Sequence, residues 1–119
     1  LAACGGKLMV TPNTDAGVIA HGVRLGLEVM PGFLTPSEAF VAIAAGARRL
    51  KLFPGGSLGP GHLRAVRDVI PRDIGLWAVG GAGADNFGDW LNAGAEGIGV
   101  GGALYRPGDA PELVAQRAQ

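Results

Sequence analysis

The sequence predicts an α/β fold of five consecutive βα units, either an open parallel sheet or part of a TIM-type (β/α)8 barrel. Short apolar runs alternate five times with longer stretches of helical spacing, each run closes on Pro or Gly, and glycines stand where helices should stop. Strands alternating with helices of about 10–12 residues make right-handed crossovers between parallel strands. A closed barrel needs eight such units and roughly 200 residues or more, so 119 residues supply an open sheet or part of a barrel.

Leu1-Ala2-Ala3 reads as the tail of a helix ending near Gly5. With no initiating Met, the expectation is an N-terminally truncated fragment, residues 1–119 forming the C-terminal part of a single barrel. The strand-sized runs are Lys7 to Thr11, Leu27 to Met30, Arg49 to Phe53, Gly75 to Val79 and Gly97 to Val100, closed by Pro12, Pro31, Pro54, Gly80 and Gly101. Between the first two, Val18, Ile19, Gly22 and Val23 recur at helical intervals. Thr35-Pro36-Ser37-Glu38 supplies an N-cap, a proline at the first helical position and a capping-box glutamate, followed by Phe40, Ile43, Ala44 and Ala47 on one face. Leu63, Val66 and Ile70 form the next stripe. Phe87, Trp90 and Leu91 form the one after, with Asp85 as its expected N-cap. Gly26, Gly46 and Gly94 fall where left-handed C-terminal caps belong, and Asp109 to Gln119 reads as a short final helix or frayed tail.

Ten basic and ten acidic side chains cancel, which leaves no electrostatic footprint for nucleic acid or an anionic membrane. An apolar fraction of 48% against 17% charged, with mean hydropathy +0.29, describes a chain that buries a core. The single cysteine, Cys4, permits no internal disulfide and fits a reducing compartment, and neither a bilayer-length apolar stretch nor a leader is visible. The expectation is a cytoplasmic protein.

There are two lysines. Lys7 begins a strand and reads as a solvated charge. Lys51 lies within Leu50-Lys51-Leu52-Phe53-Pro54, near the C-terminal end of its strand. Alternation sets Leu50 and Leu52 on one face and Lys51 with Phe53 on the other, so leucines facing the helices would send Lys51 into the barrel. A dehydrated ammonium either finds a counter-ion or loses its proton, and the neutral amine attacks carbonyls to form Schiff bases. The alternative is a structural lysine paired with a carboxylate outside this chain. Gly80-Gly81 and Gly101-Gly102 end the last two strands and leave backbone N–H groups unshielded, as phosphate sites after the last strands of βα barrels do; tight-turn geometry is the competing explanation.

Val10-Thr11-Pro12-Asn13, Met30-Pro31-Gly32, Leu50-Lys51-Leu52-Phe53-Pro54, Ala78-Val79-Gly80-Gly81 and Gly101-Gly102-Ala103-Leu104-Tyr105 together resemble the 2-keto-3-deoxy-6-phosphogluconate/6-phosphogalactonate aldolase family, in order and spacing, over nearly the whole chain. The resemblance implies a class I aldolase, needing neither metal nor cofactor, that cleaves a phosphorylated keto-acid sugar to pyruvate and glyceraldehyde 3-phosphate. It makes Lys51 the Schiff-base residue, places Pro31, Gly32 and Phe53 at the pyruvate pocket, and assigns the phosphate to Gly80, Gly81, Gly101 and Gly102. Gly102 stands where the family usually has a serine, so the backbone amide remains and the hydroxyl is lost. Val79, valine rather than threonine, tilts the preference to the galactonate substrate over the gluconate one. The five units match the fourth to eighth barrel strands, and the family's general-base glutamate, on an early strand, matches none of Glu28, Glu38, Glu96 or Glu112; the fragment alone is expected to be impaired. A homotrimer is also implied.

Two rivals stand beside this: another phosphate-binding barrel enzyme, such as a thiamine phosphate synthase or sugar-phosphate epimerase, and a non-catalytic half-barrel that binds phosphorylated ligands. His21 and His62 have no ligand partners at helical spacing, so the sequence offers no metal site. Ser57, in the Pro-Gly-Gly-Ser loop with no base nearby in sequence, reads as a turn residue rather than a nucleophile, and Trp77 and Trp90 as core or helix-packing residues.

Overall fold

A computed structural model describes residues 1–119. It contains β1 (Leu8–Thr11), α1 (Ala16–Arg24), β2 (Glu28–Phe33), α2 (Pro36–Ala44), β3 (Arg49–Leu52), α3 (Gly55–Arg67), β4 (Gly75–Val79), α4 (Phe87–Asn92), β5 (Gly97–Gly99) and α5 (Pro111–Arg117). The strands form one parallel sheet in the order β1-β2-β3-β4-β5, a half-barrel with extents of 42 × 38 × 20 Å. Parallel pairing puts the C-terminal ends of all five strands on one edge, where the closing Pro and Gly residues gather. No helix is long and apolar enough to cross a membrane.

Alternation divides the sheet into two faces. Val29, Phe33, Leu50, Leu52, Leu76 and Ala78 turn toward the helices and, with Ile19, Leu63, Val66 and Trp90, belong to one core cluster of 19 buried residues. The opposite, concave face carries Leu8, Val10, Met30, Arg49, Trp77 and Val79.

The glycine helix ends and the cap of α2 follow the residues expected to make them. Ala2–Cys4 is a single 3-10 turn closed by left-handed Gly5, and Gly26, Gly46 and Gly94 all have positive φ. Asp15 caps α1, its carboxylate accepting from the Val18 N–H at 2.9 Å. At α2 the Glu38 carboxylate accepts from the N–H groups of Leu34 and Thr35, at 2.9 and 2.8 Å, while Thr35 Oγ1 accepts from the Glu38 N–H at 3.4 Å. Those backbone donors hold the Glu38 carboxyl below its ordinary 4.5. A depressed folded value means this stability is present above 4.5 and is lost as pH falls through the folded value. Thr35→Ala should therefore cost about 1 kcal/mol at neutral pH, and Glu38→Gln should narrow the acid-limb difference, both measurable by urea unfolding.

Four expectations are corrected. The second strand does not stop at Pro31 but continues to Phe33, because proline removes one donor while the ladder resumes at Gly32 opposite Lys51 and Phe33 opposite Leu52. Asp85 does not cap α4: it lies inside a 3-10 turn, Ala84–Asn86, inserted before the helix, whose N-cap is Asn86. Ser57 belongs to the first turn of α3 rather than to a loop; the helix breaks only afterwards, at Gly59 (φ 73°, ψ 176°) and Pro60. Trp77 is half-buried on the concave face, outside the core cluster, whereas Trp90 is a core residue as expected.

Candidate active site at the strand ends

Lys51 is the one buried charged residue, 6% exposed among apolar neighbours. Its register partners are Gly32 on β2 and Trp77 on β4. Leu50 and Leu52, both fully buried, face the helices, which directs Lys51 to the other side of the sheet. The Phe53 ring, two residues on and on the same face, lies with its centroid 4.4 Å from Lys51 Nζ. No carboxylate pairs with the amine: the ion pairs of the chain are Arg49 with Glu28 and Glu96, and Arg117 with Asp109.

Burial accordingly pushes the Lys51 amine below the ordinary 10.5. The Phe53 face favours the ammonium form and moderates that displacement without reversing it. With the folded value depressed, the unfolded chain holds the proton more tightly, so stability rises with pH between the folded value and 10.5. The stability difference between the parent and Lys51→Met should shrink as pH climbs through that interval, a comparison made by thermal unfolding at a series of pH values.

Gly32 holds its position by close approach: a Cβ there would lie 2.2 Å from the Pro12 carbonyl oxygen. The Thr14 hydroxyl donates to the Gly32 carbonyl at 2.8 Å, tying the loop after β1 to the end of β2. Pro31 is fully buried, and alternation points it toward the helices with Val29 and Phe33, so its place at the strand end is structural geometry rather than exposure to the concave face.

Beyond β4, Gly80 and Gly81 adopt φ of +83° and +78°, consecutive left-handed residues that a side chain would strain. They turn the chain around a cavity of about 490 Å³ lined by Phe53, Val79, Gly80, Gly81, Gly101 and Gly102. Six of the nine expected site residues thus converge on one space. Lys51 adjoins it through Phe53, whose ring also packs 3.3 Å from where a Gly80 Cβ would stand.

Two features of the site region were not evident from the sequence. Arg49, two residues before Lys51 on the same face, pairs with Glu28 and lies 4.0 Å from Glu96, a charged cluster at the N-terminal edge of the sheet where β2 and β3 begin and the chain enters β5; the position of each residue at or just before a strand start would have revealed it. Trp77 lies on the concave face, as the same alternation rule applied to Leu76-Trp77-Ala78 would have indicated.

Residues 1–113 match the family model described as KDPG and KHG aldolase. The chain is 45% identical over 118 residues to the 2-dehydro-3-deoxy-6-phosphogalactonate aldolase of Escherichia coli (strain K12), covering 99% of this chain and 58% of that protein. It is 46% identical to the probable 2-dehydro-3-deoxy-6-phosphogalactonate aldolase of Rhizobium meliloti (strain 1021), covering 99% of this chain and 56% of that one. A solved structure described as native KDPGal superimposes with a TM-score of 0.97 at 45% identity, over 99% of this chain and 57% of the other. The chain therefore spans a little over half the length of these relatives.

Proposed function

The chain belongs to the KDPG and KHG aldolase family, and from that premise we propose that it carries the Schiff-base lysine and phosphate end of an enzyme cleaving 2-dehydro-3-deoxy-6-phosphogalactonate. The observation that carries this reading is the buried Lys51, its amine unpaired, beside a glycine-lined cavity. Support for the galactonate substrate comes from Val79 and from the two relatives of that name.

In the proposed reaction the neutral Lys51 amine adds to the C2 ketone and water leaves, giving an iminium. Breaking C3–C4 sends its electron pair toward that nitrogen, forming an enamine. The C4 hydroxyl loses its proton and becomes the aldehyde of glyceraldehyde 3-phosphate. Protonation of the enamine at C3 and hydrolysis then release pyruvate and restore the amine. Phe53 and Gly32 bound the pyruvate portion, Pro31 shapes the strand end, and the backbone of Gly80, Gly81, Gly101 and Gly102 receives the phosphate. A hydroxyl-free Gly102 leaves the work to backbone N–H groups.

Proton transfer needs a base that residues 1–119 do not bring to Lys51. Glu38 is held in its capping box, and Glu28 and Glu96 are engaged with Arg49 at the other end of the strands. Such a group is worth about 10²–10⁴ in rate, so this stretch by itself should form the imine and turn over slowly. Single-cysteine usage and the family resemblance support a cytoplasmic location, a role in galactonate degradation and a homotrimer.

The test is pyruvate release by the full-length protein from the phosphogalactonate and phosphogluconate epimers, each supplied separately. Faster release from the first supports the reading. Preference for the second transfers it to the gluconate enzyme, and release from neither overturns it.

A further inference from the structure

The loop after β4 is held from two sides. From one side, the Gly56 N–H at the start of α3 donates to the Gly80 carbonyl at 2.6 Å, and the two backbones are so close that a Cβ on Gly81 would come within 2.9 Å of Gly56 Cα. From the other, the part-buried Asn86 side chain makes two hydrogen bonds into the same loop: its Oδ1 accepts from the Gly83 N–H at 3.0 Å and its Nδ2 donates to the Gly81 carbonyl at 2.9 Å. One planar amide thus satisfies a donor and an acceptor two residues apart. Among side chains of this length only asparagine offers both groups, since aspartate accepts but does not donate and leucine does neither.

This matters because the loop has few other restraints. Gly80, Gly81 and Gly83 have no side chains to pack, and two of them occupy the left-handed region, so the segment carries a large conformational entropy to be removed on ordering. Backbone N–H groups bind an anion well only if they already point at it. The Asp85 carboxylate lines the same cavity and opposes any anion there, which makes donor alignment more demanding.

We propose that Asn86 is a positioning residue for the phosphate group: by holding the Gly83 N–H and the Gly81 carbonyl it pre-orders the loop so that the N–H groups left free there, those of Gly81 and Ala82, are aimed into the cavity before the substrate arrives. The inference rests on reading that cavity as the phosphate site. It predicts a division of labour, in which Asn86 acts on phosphate affinity and leaves the chemistry at Lys51, fixed from the Gly56 side, unaltered.

The probes are inorganic phosphate, titrated while the Gly80, Gly81 and Gly83 amide resonances are followed, and pyruvate trapped at Lys51 with borohydride, both on the full-length protein. Asn86→Ala is expected to weaken phosphate binding by roughly tenfold, the size of two lost hydrogen bonds, and to leave the pyruvate trapping rate within about twofold of the parent. In cleavage assays the same variant should raise KM for the phosphorylated substrate while kcat changes little. Should Asn86→Ala fail to fold, the isosteric Asn86→Asp keeps the Gly83 contact, loses the Gly81 one, and is expected to weaken phosphate binding further through its charge. Equal phosphate affinity in parent and variants would overturn the inference, as would a proportional fall in pyruvate trapping or a parent that binds no phosphate. Phosphate binding that depends on Asn86, with no pyruvate adduct in the parent, would instead sink the lysine assignment and leave Asn86 in place.

Discussion

Lys51→Met is expected to lower aldol cleavage by about 10⁴-fold or more while leaving the fold at least as stable as the parent. Both halves come from one fact, that Lys51 is a buried residue, 6% exposed, whose amine has no carboxylate partner. A nucleophile that forms the covalent intermediate has no substitute when removed. A dehydrated amine without a counter-ion is also a burden on the folded state, so an apolar chain of similar length relieves it. Lys51→Arg separates size from chemistry: it keeps a cation near the Phe53 ring, does not deprotonate, and should be equally inactive. Steady-state pyruvate release and thermal unfolding on the same preparations check the pair. A variant both inactive and severely destabilised would mean that the lysine is structural.

Gly32→Ala is expected to cost about 2–3 kcal/mol or more, because the new methyl meets backbone rather than a movable side chain. A Cβ at Gly32 would lie 2.2 Å from the Pro12 oxygen, 2.6 Å from its carbon and 3.2 Å from the Asn13 nitrogen. Either the loop after β1 retreats, breaking the Thr14 bond to the Gly32 carbonyl, or β2 shifts and takes Gly32 out of register with Lys51. For a domain of this size the thermal midpoint should drop by about 10 °C. Gly88→Ala on α4 is the control, since nothing lies within 4 Å of its added carbon. There alanine should be neutral or stabilising by roughly 0.5–1 kcal/mol.

What was legible in the sequence was whatever repeats at a fixed period or sits in a local pattern. The five runs, the capping box at Thr35 and Glu38, and the glycine helix ends are of this kind; each run holds a strand, with β2 longer than expected, and the caps stand where their residues place them. So does the orientation of Lys51, which needs only alternation and two leucines that prefer the helix layer. Features set by particular contacts rather than by a period or a local motif were not legible. Pro31 looked like a strand end because a lost donor is a local fact, whereas the ladder that carries β2 on to Phe33 belongs to the neighbouring strand. Asp85 had the right chemistry for a cap, but a 3-10 turn intervened, and the Asn86 amide turned back to the glycine loop. No spacing rule reports that the Gly81 carbonyl, five residues back in an irregular loop, needs an amide.

The most direct measurement is borohydride reduction in the presence of pyruvate, followed by peptide mapping. The expected result is one reduced pyruvate on the Lys51 peptide and none on Lys7, which is exposed, with a trapping rate that climbs with pH to a half-point below 10.5. A folded protein that carries no adduct, or carries it equally on both lysines, would contradict the assignment of Lys51 as the nucleophile.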